Sequence, residues 1–115
     1  MKGYKGMDAN MQCRGMQYEV GKTYHVDGDI RVCQNGIHFC ERLTDVFRFY
    51  KRDDSRFFEV LANGAIQGDG RKNAASDLTV VRELKEIEIN KLVYGNGYGN
   101  GYGNLQKICM FEGGN

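Results

Sequence analysis

Proline and tryptophan are absent from the 115 residues, and no apolar run approaches the roughly 20 residues that a membrane-spanning helix needs. Neither charge is in excess. Lys and Arg number 16 against 15 Asp and Glu, a net charge of +1. That balance gives no general reason to expect nucleic acid or an anionic membrane as partner. The opening MKGYKGMDAN lacks the apolar segment of a secretory signal. A cytoplasmic setting is therefore expected, with Cys13, Cys33, Cys40 and Cys109 as reduced thiols. What is present is a globular composition, 41% hydrophobic and 27% charged. Residues 1–115 are read as a single domain with one modest core.

Period-two patterns dominate. KGYKG suggests an opening strand, MQCRG a loop or edge, and MQYEV and GKTYHV two further strands. An Asp27-Gly28 turn precedes IRVC, and Asn35-Gly36 joins IRVC to IHFC, the strongest hairpin signal in the chain. At residues 41–51 the period changes. Leu43, Val46, Phe47 and Tyr50 fall at i, i+3, i+4 and i+7, one face of a short helix. RFFEVLA and AIQ read as strands about an Asn63-Gly64 turn, QGDGRKNAASD as an exposed loop, and LTVVREL and EIEINKLVY as further β-rich segments. The expected class is α+β: a mostly antiparallel sheet with one helix.

YGNGYGNGYGN at residues 94–104 is the one internal repeat, placing Tyr94, Tyr98 and Tyr102 at intervals of four. Its glycines, at about 1 kcal/mol each relative to alanine, argue against a helix. The repeat reads as a loop or spacer before a last strand over residues 105–111. In an extended chain its tyrosines would share one face as a partner-binding ladder.

Chemically capable residues gather around the Asn-Gly turn. In a two-residue hairpin Cys33 faces His38 and Arg31 faces Cys40. Ile30, Val32, Ile37 and Phe39 then form the core face, and Arg31, Cys33, His38 and Cys40 the other. Three readings of that second face stand. Cys33, His38 and Cys40, with Cys13 or Cys109, are zinc-ligand types, but C-x6-C without a CxxC pair argues against a metal. A thiol activated by His38 and Arg31 is a second. Ordinary packing, with His38 hydrogen-bonded and half-buried, fits best when the stretch is taken alone.

KGYKGMDANMQCRGMQYEVGKTY followed by VCQNGIHFCERLTDVFRFY resembles an uncharacterised domain family encoded mostly by bacteriophages and prophages, in which a Gly/Tyr-rich repeat often follows the domain. The order of segments is also similar to diphtheria-toxin-type and poly(ADP-ribose)-type ADP-ribosyltransferases. Tyr4-Lys5-Gly6 stands at the first strand motif and Gly36-Ile37-His38-Phe39 at the second. The helix ending at Tyr50 comes third, and Phe58-Glu59-Val60-Leu61 with Gly64 fourth. Lys5 replaces that family's ribose-holding His and His38 its nicotinamide-stacking Tyr. Glu112, and after it Glu83, are the candidates for its catalytic Glu.

The second resemblance implies a transferase-like architecture with a cleft walled by Lys5, Gly6, Arg14 and His38, suited to a phosphate-bearing nucleotide. The expected function is that of a phage-type accessory binding protein in the host cytoplasm. It would occupy a host protein or a nucleotide-derived ligand, an inhibitor of a defence system such as CRISPR being one form. No cofactor is expected on that reading. The alternatives are an NAD-dependent ADP-ribosyltransferase with catalytic Lys5, His38 and Glu112, and a structural domain of a phage particle.

Overall fold

The computed structural model describes residues 1–94. They fall in two units, Met1–Leu84 and a second that begins at Lys85. The first is mostly antiparallel sheet with one short helix and the second contains another, an α+β composition. No helix among the described residues is long and apolar enough to cross a membrane.

The first unit is organised by two long strands, β6 (Arg56–Gly68) and β7 (Asn73–Glu83), paired antiparallel from Phe58↔Glu83 to Gly68↔Asn73. Strand β1 (Lys2–Met7) lies antiparallel on the free side of β6, Lys5 opposite Phe58. The far edge of β7 is shared by β4 (Thr23–His25) and β5 (Ile37–Phe39), with Leu78 opposite Tyr24 and Ala74 opposite His38. The residue after β5 returns to β1. Tyr4 N–H donates to Cys40 O at 2.7 Å, and Cys40 N–H to Tyr4 O at 2.9 Å. The path β1-β6-β7-β5 thereby closes on itself around one core, in which Phe58, Met7, Leu78, Val60 and Val80 are the largest fully buried side chains, while the equally buried Phe57 packs against Phe47. A separate hairpin joins β2 (Gln12–Cys13) to β3 (Met16–Gln17).

Several expectations are corrected. Asn63-Gly64 makes no hairpin turn. It lies in a register shift between Asn63 and Ile66, inside a single strand of 13 residues. The reversal comes at residues 69–72, where Asp69 Oδ1 accepts the N–H groups of Arg71 and Lys72 at 3.1 Å each. Much of the supposed exposed loop is therefore strand, and Asn73, Ala74, Ala75 and Ser76 are buried.

Asn35-Gly36 is not a two-residue turn either. Arg31 and Asn35 bridge each other, the chain reverses over residues 32–34, and IRVC forms no strand. The two-faced assignment fails with it, since Cys40 is buried beside Ile37 and Phe39 while Val32 is only half-buried. MQYEV contributes only its first two residues to a strand.

The helix expected over residues 41–51 is α1 (Leu43–Val46), which continues as turns to Tyr50. No side chain caps it, and its buried residues, Leu43 and Val46, are those the periodicity selected. EIEINKLVY, expected as β, is α2 (Glu86–Tyr94). Glu88 Oε1 accepts the Lys85 N–H at 2.9 Å, half of a capping box. Acids in the first turn and Lys91 in the last suit the helix dipole.

Candidate functional site

The site lies where β1 meets β5. Both faces of β1 are covered, so alternation gives way to continuous burial from Gly3 to Met7. Lys5 is caught inside, 4% exposed. Its Nζ donates to the His38 carbonyl at 2.5 Å and stands 5.4 Å from the centre of the Tyr18 ring. Burial pulls its pKa down, and nearby Arg14 adds to the effect against an opposing pull from Cys13.

Gly6 lets Tyr50 approach. A Cβ there would stand 2.7 Å from the Tyr50 ring. The Tyr50 hydroxyl in turn contacts Cys13 Sγ at 2.8 Å, and burial followed by that contact raises the phenol's pKa.

Arg14 comes from the β2–β3 turn. Arg14 and Gly15 have φ of 52° and 81°, the left-handed pair that a tight two-residue hairpin turn requires. Asn usually holds the first of these positions, and arginine in left-handed backbone carries strain of roughly 1 kcal/mol.

His38 on β5 is half-buried. Its Nε2 accepts the Cys33 N–H at 2.7 Å, which leaves the proton of a neutral ring on Nδ1, a buried atom with no hydrogen-bond partner. Burial, then Arg14, Lys5 and Lys72, push its pKa down to about 4, with a backbone contact to Gly36 opposing them. His38 is accordingly neutral at physiological pH.

Two adjoining lobes open here. The larger, about 330 Å³, is lined by Val46, Phe49, Tyr50 and Lys72 among others, and the smaller, about 180 Å³, by Tyr18, Val26, Gln34 and Asn35 among others. Lys5, Cys13, Arg14 and His38 line both. Among the described residues neither lobe is lined by an Asp or a Glu, so the cations of the cleft face no carboxylate within it.

The residues picked from sequence as ligand-binding, Lys5, Gly6, Arg14 and His38, are thus together. Glu83 is elsewhere in its bonding, both carboxylate oxygens being held by Arg56 at 2.6 and 2.9 Å. Cys33 is exposed and serves His38 through its backbone, at a φ of 68°. Cys40 is buried, its thiol pushed up to about 11 by burial and then by Asp45. The described residues hold no group of three or more His, Cys, Asp or Glu placed for a metal ion. Tyr94 is the last residue of α2 in the second unit; Tyr98, Tyr102, Cys109, Glu112 and the strand expected over residues 105–111 lie outside the described residues.

Sequence reasoning missed three contributors. Lys72, read as a solvated loop charge, lines the larger lobe with its Nζ 5.4 Å from the Phe49 ring centre. Phe49, off the helical face that Leu43, Val46, Phe47 and Tyr50 mark, is half exposed at the same lobe. Tyr18 sits under Lys5. Only the i+7 spacing of Tyr50 from Leu43 carried any signal for this side of the cleft.

Residues 1–92 match the family model described as Domain of unknown function (DUF7666). No curated protein and no solved structure matches the chain.

Proposed function

We propose, for a chain that belongs to this family of unknown function, that the cleft is a binding site for a small anionic, ring-bearing molecule of the nucleotide class. The supporting observation is the lining itself. Two cations, Arg14 and Lys72, and the buried Lys5 amine stand with the rings of His38, Phe49 and Tyr50, and no lining carboxylate balances them among the described residues. Guanidinium and ammonium groups pair with phosphate, and rings stack on a base or nicotinamide. The larger lobe falls at the low end of small-molecule pocket sizes, about 300 to 1,000 Å³.

The resemblance to phage and prophage domains gives this module its setting, the cytoplasm of a bacterial host. Sequestering a nucleotide-derived signal, or occupying a protein of a defence system, fits a small binding protein there. The second reading is an NAD-dependent ADP-ribosyltransferase. It is favoured by one juxtaposition: Tyr4-Lys5-Gly6 lies beside the Gly36–Phe39 segment with the Tyr50 ring against Gly6. Against it, no carboxylate lines either lobe among the described residues to stabilise an oxocarbenium-like ribose.

Calorimetric titration with NAD and ADP-ribose tests both readings. ADP-ribose is expected to bind the wild type and to lose about tenfold or more in affinity in Arg14→Asn and Lys72→Ala, since a charged hydrogen bond contributes on the order of 1.5–3 kcal/mol. Arg14→Asn should at the same time leave the fold as stable or slightly more so, because asparagine suits the left-handed turn. No binding of either compound would sink the nucleotide reading. Release of nicotinamide from NAD, abolished in His38→Ala, would replace it with the transferase.

A further inference from the structure

We propose that Lys5 is a covalent trap, its amine condensing in the cleft with the aldehyde of a phosphorylated sugar, of which the open-chain ribose end of an ADP-ribose-type ligand is one. This rests on the ligand class inferred above and adds a bond to it.

Lysine is seldom buried without a carboxylate partner. Here the buried amine meets a backbone carbonyl, the Tyr18 ring and the Cys13 thiol, and it lines both lobes although only 4% of the residue is exposed. What remains accessible therefore faces the cleft. Such surroundings disfavour the ammonium and favour the neutral amine, the nucleophilic form. A surface lysine is neutral in only about one molecule in a thousand near pH 7.4. Arg14 and Lys72, lining the same larger lobe, are the groups to hold a phosphate while its sugar reaches inward.

The step balances without any oxidant or reductant. The Nζ lone pair attacks the carbonyl carbon, the C=O π pair moves to oxygen, and a proton passes from nitrogen to that oxygen. Loss of the hydroxyl as water then leaves the C=N bond, so that aldehyde and amine give imine and water. Departure of the hydroxyl needs a proton donor. The Tyr50 hydroxyl, already in contact with Cys13 Sγ at 2.8 Å and lining the same lobe, can lend one and recover it from the nitrogen. In the free amine and the carbinolamine one hydrogen of Nζ donates to the His38 carbonyl and holds the nitrogen in place; it leaves only as the C=N bond forms.

The test uses the full chain with ribose 5-phosphate or ADP-ribose and cyanoborohydride, which reduces an imine to a stable secondary amine, followed by peptide mapping. The expected result is a reduced adduct on Lys5 that forms on the order of tenfold or more faster than on any exposed lysine. Lys5→Arg should remove that adduct and leave slow labelling elsewhere. Should that variant not fold, the wild type still decides, because excess NAD, which has no free aldehyde, must protect Lys5 selectively. Even labelling of surface lysines with Lys5 unmodified, while NAD still binds, overturns the trap and leaves the nucleotide reading standing. If NAD does not bind and Lys5 is not labelled, both fall.

Discussion

His25 and His38, the two histidines of the chain, titrate in opposite directions. His25 is exposed, and its ring nitrogens meet Asp77 and Asp27 at 2.7 Å each. Those two bonds, Asp27 first, raise its pKa above 6.5. Its contribution to stability is complete below about pH 6.5 and is lost as pH rises through the raised native value. His38 works the other way. Its native pKa of about 4 lies below the unfolded 6.5, so the unfolded chain binds more protons between those values. Stability from His38 is therefore full above about pH 6.5 and drains away as pH falls towards 4. Difference melting curves against the wild type separate the two. The stability lost in His25→Asn should be level below about pH 6.5 and shrink above it, and that lost in His38→Gln should be level above about 6.5 and shrink between about 6.5 and 4. Curves parallel to the wild type at all pH values would refute the assignment. The half-buried, hydrogen-bonded state of His38 was read from the sequence and is found, whereas nothing in it pointed to the partners of His25. Its carboxylates come from two residues along and from a strand 52 residues away, a distance only the fold closes.

At the scale of elements, Gly6 of β1 is where the strand and the turn after α1 meet. Gly6→Ala would set a methyl against three atoms of Tyr50 at 2.7 to 2.9 Å, so the ring must leave or β1 must bow outward. The expected outcome is a loss of roughly 1–3 kcal/mol in urea unfolding, the usual range for overpacking. The Cys13–Tyr50 contact should be lost with it, read as a lowered phenol pKa by ultraviolet titration. Stability and titration both unchanged would mean that Tyr50 does not pack there.

The elements themselves were partly readable. KGYKG and IHF were read as strands and are β1 and β5, the latter with alternating burial, and residues 43–50 announced one helical face. The turns misled, because Asn-Gly supplies left-handed backbone that a bulge or a three-residue reversal uses as readily as a hairpin does. Beyond Asn63-Gly64 the residues Ile66, Gln67 and Gly68 still find Ala75, Ala74 and Asn73 of β7 opposite them, and continuing the ladder satisfies that backbone where an early turn would leave it unpaired. EIEINKLVY misled for another reason: its alternating isoleucines outweighed the Lys85…Glu88 cap, which is a local signal.

For the molecule as a whole, every strand of the closed ladder and every residue lining the two lobes belongs to Met1–Leu84. A chain ended after Tyr94 should keep its cooperative melting transition and its affinity for ADP-ribose. Loss of the ligand with the melt intact would assign residues from 95 onward a share of the site. At this level the resemblance implied that Lys5 and His38 wall one cleft, but nothing in the sequence showed that their strands meet through Tyr4 and Cys40. They meet because β6 and β7 are long enough to carry the sheet round until Cys40 reaches Tyr4.

That meeting has a mechanical consequence. A ring of strands joined by six, nine and three residue pairs on three sides and by a single pair on the fourth is a bracelet with a clasp. Its two bonds, Tyr4 to Cys40 and back, are few beside the nine registered pairs between β6 and β7. Lys5 is next to the clasp on one strand and His38 two residues from it on the other, and the two are already tied by one hydrogen bond. A molecule gripped by both would act as a second catch, holding shut the place where the ring opens most readily. By mass action, ligand at a hundred times its dissociation constant would add about 2.7 kcal/mol. Amide exchange at Tyr4 and Cys40 would slow first.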